Sequence, residues 1–392
     1  MTFAACALLM FACYDGSEGS TGGTSSTSST SSSTSSSTSS STSTGAEPTG
    51  TSAPTTTMTV EPTSGESSTT GTTFDDSTSS SGSETGETGF DPGIEGDGDY
   101  VIGPDYMDAP EIDPGPDVPR GDIFHFTMKS VDSAIFPGVM GEYTRDVWIY
   151  VPKQYVDGTA APFIVVQDGG GYLDLTSATL DTLIDAKQVP AMIGVFINPG
   201  PGDGMGSERG LEYDRVSEDY TNFIETEVLP IIPAVPEIAA AYPNLAFTDD
   251  PWGRASMGGS SGGACAFTMG WLRPDLYRRI LTYSGTFVAQ HSTPEYPHGA
   301  WEYHEHLVAG ADEKPLRVFL EVGEYDLDLN ANFGDGMHAW VEANNAMAAA
   351  LAAKTYHYRY LFAKNAGHVD GKVLRQTLPD TLRWLWVGYP VE

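Results

Sequence analysis

Residues 252–271, WGRASMGGSSGGACAFTMGW, place three serines among closely spaced glycines, and two of them, Ser256 and Ser260, are candidate nucleophiles. A strand that turns sharply into a helix can present a serine hydroxyl at the turn. It needs small residues two before and two after that serine, because strand and helix nearly touch there. Ser260 meets the requirement with Gly258 and Gly262, whereas Ser256 would put Arg254 into the crowded position. Behind Ser260, Gly263, Ala264 and Ala266 let a helix pack closely, while the glycines and serines behind Ser256 make a poor helix start. Ser260 is therefore the candidate nucleophile, and Ser256 a strand residue leading into the turn.

A serine nucleophile needs a base to take its proton and an acid to orient that base; on a strand–turn–helix scaffold they follow in the order serine, acid, histidine. His368, in the Ala-Gly-His turn after HYRYLF, stands where a loop leaves the carboxyl edge of a sheet; His338, expected inside a helix, is the other histidine available. Before His368, the string Gly323-Glu324-Tyr325-Asp326-Leu327-Asp328 follows an apolar run. It offers Asp326 as the acid, with Asp328 second. A developing oxyanion needs two N–H donors: Ser261, following the nucleophile, for one, and Gly169 or Gly170 in the QDGGGY loop for the other.

Other polar residues have competing readings. Tyr172, Arg209, Glu212 and Tyr213 are candidates for contacting substrate, but an Arg209–Glu212 pair bracing a loop is the plainer reading of that motif. His304-Glu305-His306 has the composition of a metal site, but no third ligand stands at a recognisable spacing, so exposed helical surface is expected. Cys265, among Ala264, Ala266 and Phe267, reads as a buried thiol with no partner for a disulfide within the globular part.

The elements that must position these groups alternate between strand and helix, which predicts an α/β fold with a mostly parallel sheet flanked by helices. Strands are expected at Asp146–Val151, Phe163–Val166, Met192–Ile197, Arg279–Tyr283 and Leu316–Val322, with His357–Phe362 alternating as an outer strand does. Val216, Tyr220, Phe223, Ile224, Val228 and Ile231 share one helical face; Trp340, Met347 and Leu351 mark another helix. The Trp384/Trp386 segment is expected to pack on the sheet.

Composition divides the chain into a leader-like segment, residues 1–13, a linker, 14–122, and a catalytic domain, 123–392. Residues 14–90 are nearly all Ser, Thr and Gly, too poor in large apolar groups to offset the entropy of ordering. The Asp/Gly/Pro stretch 91–122 reads as a stiffer acidic tether. Of 53 acids and 19 bases, 19 acids and one base precede residue 123, so the remainder is itself acidic and lacks the charge to hold nucleic acid.

The apolar run Phe3–Ala12 is too short to span a bilayer and suits a signal-peptide core. It lacks a basic leading region, which places the expected start of the protein upstream. Ala12-Cys13 before a Ser/Thr-rich tether is similar to a bacterial lipoprotein signal, which implies a lipid on Cys13 and a secreted or lipid-anchored protein at the cell envelope.

Taken in order, WIYVP, VVQDGGGYL, VFINPG, the Arg209…Glu212-Tyr213-Asp214 string, GGSSGGACAFTMGW with RPD, LRVFLEVGEYDLD, AGH and LPDTLRWLW cover roughly residues 146–386. In this series the chain resembles the enterochelin-esterase and esterase-D-like branch of the α/β-hydrolases. The resemblance implies an α/β-hydrolase fold, Ser260 as nucleophile, Asp326 as acid, His368 as base, and backbone donation from the Asp168–Gly171 loop. It departs in carrying Ser256 and Met257 where the family has apolar residues, and a Ser/Thr tether where siderophore esterases have a sandwich domain. The function expected is ester hydrolysis through an acyl-enzyme on Ser260 without metal or cofactor. The substrate expected is a small-molecule or polysaccharide-linked ester, such as an acyl or feruloyl group on a polysaccharide. Acyl transfer to an alcohol by the same triad and a non-catalytic tethered binding protein are the alternatives.

Overall fold

The computed structural model describes residues 92–391. The apolar leader, Cys13 and the Ser/Thr-rich stretch lie outside the described residues. The strands, in chain order, are β1 Gly98–Ile102, β2 Asp122–Lys129, β3 Thr144–Val151, β4 Ala160–Ala161, β5 Phe163–Gln167, β6 Ile193–Ile197, β7 Ala246–Phe247, β8 Arg254–Gly259, β9 Arg279–Tyr283, β10 Arg317–Gly323 and β11 His357–Ala363. Nine form one sheet in the order β1-β11-β10-β9-β8-β5-β6-β3-β2, and β4 pairs with β7. All pairings in the large sheet are parallel except β2–β3 and β3–β6. β5 and β6 are buried at every position, as strands covered on both faces must be.

The helices are α1 Gly169–Asp185, α2 Glu208–Tyr213, α3 Asp219–Phe223, α4 Pro236–Ala241, α5 Ser261–Leu272, α6 Val308–Gly310, α7 Asn330–Phe333, α8 Trp340–Ala353 and α9 Gly371–Leu385. Leu180, Leu183 and Ile184 of α1 and Val373, Leu378 and Leu382 of α9 share one core with Ile164, Met257 and Phe319. On the other face Phe267 and Trp271 of α5 pack with Trp340, Met347 and Leu351 of α8 over Ile280 and Val318. Trp384 and Trp386 close the first face, as expected from the sequence. The order of strands reverses where β5 and β8 lie side by side, with β6 beyond β5 and β9 beyond β8. The loops leaving the carboxyl ends of that pair diverge to opposite faces and open a crevice, the usual ligand position in such sheets.

Three expectations need correction. The stretch 91–122 is not simply a tether, because β1 extends the sheet beside β11 from Gly98↔Arg359 to Ile102↔Ala363. Asp97 fixes its entry by accepting from Trp384 Nε1 (3.0 Å) and pairing with His357 Nδ1 (2.9 Å). Farther on, Tyr106 Oη donates to Lys364 O (2.6 Å), and Asp108 pairs with Arg375. Consequently β11 is an interior strand, flanked by β10 and β1. The helical face drawn from Val216 to Ile231 is also interrupted. α3 passes into a π turn, Ile224–Val228, and then a 3-10 segment, Leu229–Ala234, where Pro230 and Pro233 deny backbone N–H donors, and Ile231 is left exposed.

Candidate active site

Ser260 sits between β8 and α5 with φ 56° and ψ −128°, a backbone conformation that an L residue adopts only when its surroundings impose it. A Cβ on Gly258 would lie 2.3 Å from the Gly262 carbonyl carbon, so strand and helix touch where the sequence demanded small residues. Ser256 is fully buried in β8, its hydroxyl donating to Ala266 O (2.9 Å). Cys265 is buried in α5, and burial pushes its thiol well above the usual range.

His368 lies in the loop between β11 and α9, partly open to solvent. Its Nε2 is 2.8 Å from Ser260 Oγ, and its Nδ1 is 2.6 Å from Asp326 Oδ1. The Asp326 side chain is inaccessible, and the same oxygen accepts from Leu327 N–H (2.7 Å). A carboxylate so used accepts from Nδ1–H, which leaves Nε2 unprotonated toward the serine. The other candidates separate cleanly. Asp328 Oδ1 accepts from Asn330 N–H (3.0 Å) and holds a local turn, and Glu324 accepts from Asn365 N–H (2.8 Å), joining the loops after β10 and β11. His338 precedes α8 rather than lying in it, and its ring stacks on Phe333 beside Asp335.

The β5–α1 loop faces the elbow. Gly170 N–H donates to Asn198 Oδ1 (2.9 Å) and Asp168 N–H to Tyr213 Oη (3.1 Å). Both glycines remain candidate donors beside Ser261, and Gly169 is buried. Gly169 also has no room for a side chain, since a Cβ would meet Ile197 N at 2.3 Å. Tyr172 is buried, with its hydroxyl against Gly259, so it packs under the strand end instead of facing a substrate.

Arg209 and Glu212 do not pair with each other. Arg209 holds Asp168 through Nε (2.9 Å) and Nη2 (2.8 Å) and Asp203 through Nη1 (2.6 Å). Burial opposes its charge, but these carboxylates raise its pKa above the ordinary value, so it stays charged. Its guanidinium is spent on fixing the β5–α1 loop. Glu212 meets Arg145 in a two-pronged pair (2.6 and 3.0 Å) and accepts from Tyr143 Oη and Gly200 N–H. Tyr213, kept protonated by burial, bears on Asp168 from the same helix. All three are therefore supports of the loop that borders Ser260.

His304-Glu305-His306 falls in a π turn, with His304 Nε2 directed to Phe287 O (3.1 Å). No group of three or more metal-ligating side chains is arranged around an ion position among the described residues. No described helix is long and apolar enough to cross a membrane.

Sequence reasoning missed two buried carboxyls, because each stands inside a motif read for another residue. Glu321, on β10, is pushed well above the usual range by burial and by the charges of Asp326 and Asp370. Asp214 is raised to about 7 by burial, and the nearby Ser261 hydroxyl and Arg209 only partly offset this. Neither Asp214 oxygen makes a hydrogen bond of good geometry. In the folded chain this carboxyl is neutral up to about pH 7, but it ionises near 3.8 when unfolded. Unfolding therefore releases a proton between those values, and stability falls as pH rises through that window. The shift corresponds to roughly 4 kcal/mol at most. Asp214→Asn should flatten the fall, so that urea midpoints at pH 5 and pH 8 differ less than in wild type; an unchanged difference would mean that Asp214 titrates normally.

Known proteins carry the same framework. A curated relative, the iron(III) enterobactin esterase of Dickeya dadantii, is 27% identical over 256 residues, covering 62% of this chain and 52% of that protein. The chain thus spans about half the length of the curated relative it matches. The ferulic acid esterase of Anaeromyces mucronatus, solved with ferulic acid, superposes with a TM-score of 0.53 at 12% identity, covering 73% of this chain and 98% of that one. The ferric enterobactin esterase of Salmonella typhimurium gives 0.50 at 22% identity, covering 70% and 61%. These likenesses bear on the fold, an α/β-hydrolase sheet flanked by helices. The family model described as "Putative esterase" matches residues 140–385, which take in β5, the elbow, Asp326 and His368. The chain belongs to that esterase family.

Proposed function

We propose that the chain is a serine carboxylesterase that works through an acyl-enzyme on Ser260. The observation that carries this reading is the continuous line from Ser260 Oγ to His368 Nε2 (2.8 Å) and from His368 Nδ1 to Asp326 (2.6 Å). His368 takes the serine proton as Oγ attacks the ester carbonyl, and Asp326 holds the tautomer and the imidazolium that forms. The N–H groups of Ser261 and of Gly169 or Gly170 receive the oxyanion. Collapse expels the alcohol with the proton from Nε2, and water activated at the same nitrogen then releases the acid. Family membership supports an ester as substrate.

A fluorophosphonate probe should label the protein, with the adduct on Ser260 when peptides are weighed. No labelling of the folded chain would end the esterase reading, and an adduct on Ser256 would move the nucleophile.

The reading extends to place and substrate. The domain acts outside the cytoplasm, secreted or held at a bacterial envelope by lipid on Cys13, upon an ester carried by a small molecule or a polysaccharide. Its support is the apolar Phe3–Ala12 run, the Ala12-Cys13 step and the Ser/Thr-rich stretch that follows. Radiolabelled palmitate should enter the full chain and be lost in Cys13→Ser; equal labelling of both would exclude Cys13.

A further inference from the structure

Ser260 Oγ has a second neighbour besides His368, the hydroxyl of Thr286 at 3.4 Å. Thr286 lies in the loop after β9 and is almost fully buried. Its own N–H donates to Ser260 O (3.0 Å), so the backbone fixes it to the elbow. Trp340, the first residue of α8, places its indole Nε1 3.2 Å from Thr286 Oγ1. The edge of the same indole meets the His368 ring, with centroids 5.9 Å apart and planes at 88°. Asn344, one turn along α8, donates to Gly285 O and Trp340 O (both 2.9 Å) and ties helix to loop.

The directions of these bonds follow from chemistry. An indole N–H can only donate, so Thr286 Oγ1 accepts there and has one proton left to give. Ser260 Oγ is the acceptor within reach. The proton of Ser260 must then point at His368 Nε2, whose other nitrogen donates to Asp326. We infer that Thr286 is a further catalytic residue, donating a hydrogen bond to Ser260 Oγ, and that Trp340 is the positioning residue that sets its direction. This rests on the serine-esterase reading.

The contact is long for a hydroxyl pair in the resting state, as catalytic bonds often are before substrate arrives. It gains strength when Oγ carries charge. In deacylation, water adds to the acyl carbon and gives its proton to His368. The C–Oγ bond then breaks, and Oγ receives that proton back from Nε2. The Thr286 hydroxyl stabilises the departing oxygen throughout and keeps its own proton.

The test is stopped-flow hydrolysis of p-nitrophenyl acetate by the full chain and its variants, with fluorophosphonate labelling alongside. Thr286→Val keeps the shape and removes the donor. Losing one preorganised donor predicts a fall in kcat of roughly 100-fold. The p-nitrophenol burst should grow toward one per enzyme, because deacylation slows most. Thr286→Ser should restore kcat to within a fewfold, and Trp340→Phe, which frees the hydroxyl to turn, should fall between.

A Thr286→Val enzyme with wild-type kcat and burst would overturn the proposal while wild type still labels. If Thr286→Val does not fold, the Ser and Phe variants decide: an inactive Thr286→Ser or an unaffected Trp340→Phe would also overturn it. Wild type that neither labels nor turns over would instead remove the esterase reading beneath it.

Discussion

Ser260→Ala should lower kcat for a short p-nitrophenyl ester by about 10⁴- to 10⁶-fold while the protein stays folded. The serine hydroxyl lies 2.8 Å from His368 Nε2, and removing it takes away the oxygen that would be acylated. His368→Ala should cost about as much, and the double variant little more, because the two act as one unit. Asp326→Asn should lose on the order of 10⁴-fold, since an amide at Oδ1 would favour the wrong tautomer of a ring held at 2.6 Å. Ser256→Ala, whose hydroxyl only donates to Ala266 O inside the sheet, should retain activity. If Ser260→Ala were as active as wild type, or if both were inert across short esters, the acyl-enzyme would have to be abandoned.

Glu212→Ala is expected to have the largest effect on stability. The Arg145–Glu212 pair is almost wholly shielded, with side-chain exposures of 1% and 0%. Glu212 accepts from both Arg145 prongs, the Tyr143 hydroxyl and Gly200 N–H. Removing the carboxylate leaves the buried guanidinium above the Phe223 ring, 4.5 Å from its centroid, with the Tyr143 hydroxyl in place of a countercharge. Breaking one half of such a pair costs about 3–5 kcal/mol, because the partner charge stays buried. A melting temperature lower by on the order of 10 °C is the expected reading. Replacing both, Arg145→Met with Glu212→Leu, should recover much of the loss, since the price of the lone charge is then gone. A melting temperature within 2–3 °C of wild type for Glu212→Ala, roughly the effect of 1 kcal/mol, would show that the pair is solvated after all. Glu212 shares α2 with Arg209, so the variant should also loosen the Asp168 loop.

The chemistry-bearing turns were legible because sterics write them locally. Gly258 and Gly262 can be recognised as a pair that no side chain could separate, and the contact between them bears that out. Continuous apolar runs such as FIVV announced interior strands for a similarly local reason. What escaped depends on partners far away in the chain. GDYVI at 98–102 reads as linker by composition, yet Asp97 before it is held by Trp384 and His357, more than 250 residues later. Arg209 and Glu212 suggested a local pair by spacing, but each found a partner of its own, Asp168 just after β5 and the buried Arg145 on β3, which the spacing does not encode. Thr286 carried no signal, since only the fold brings a threonine after β9 to a serine after β8.

β1 also fixes the end of the sheet from which the described residues start. β1 runs parallel to β11, so Gly98 lies at the amino edge of the sheet and Ile102 near the carboxyl edge, toward the loop of His368. Gly93 O and Asp97, ahead of β1, are held at that amino edge by Arg317, the first residue of β10. The polypeptide arriving at Pro92 thus reaches the side opposite the reactive serine, separated from it by the roughly 17 Å length of a five-residue strand. A label joined at Pro92 would therefore start about one strand length away from Ser260 and His368.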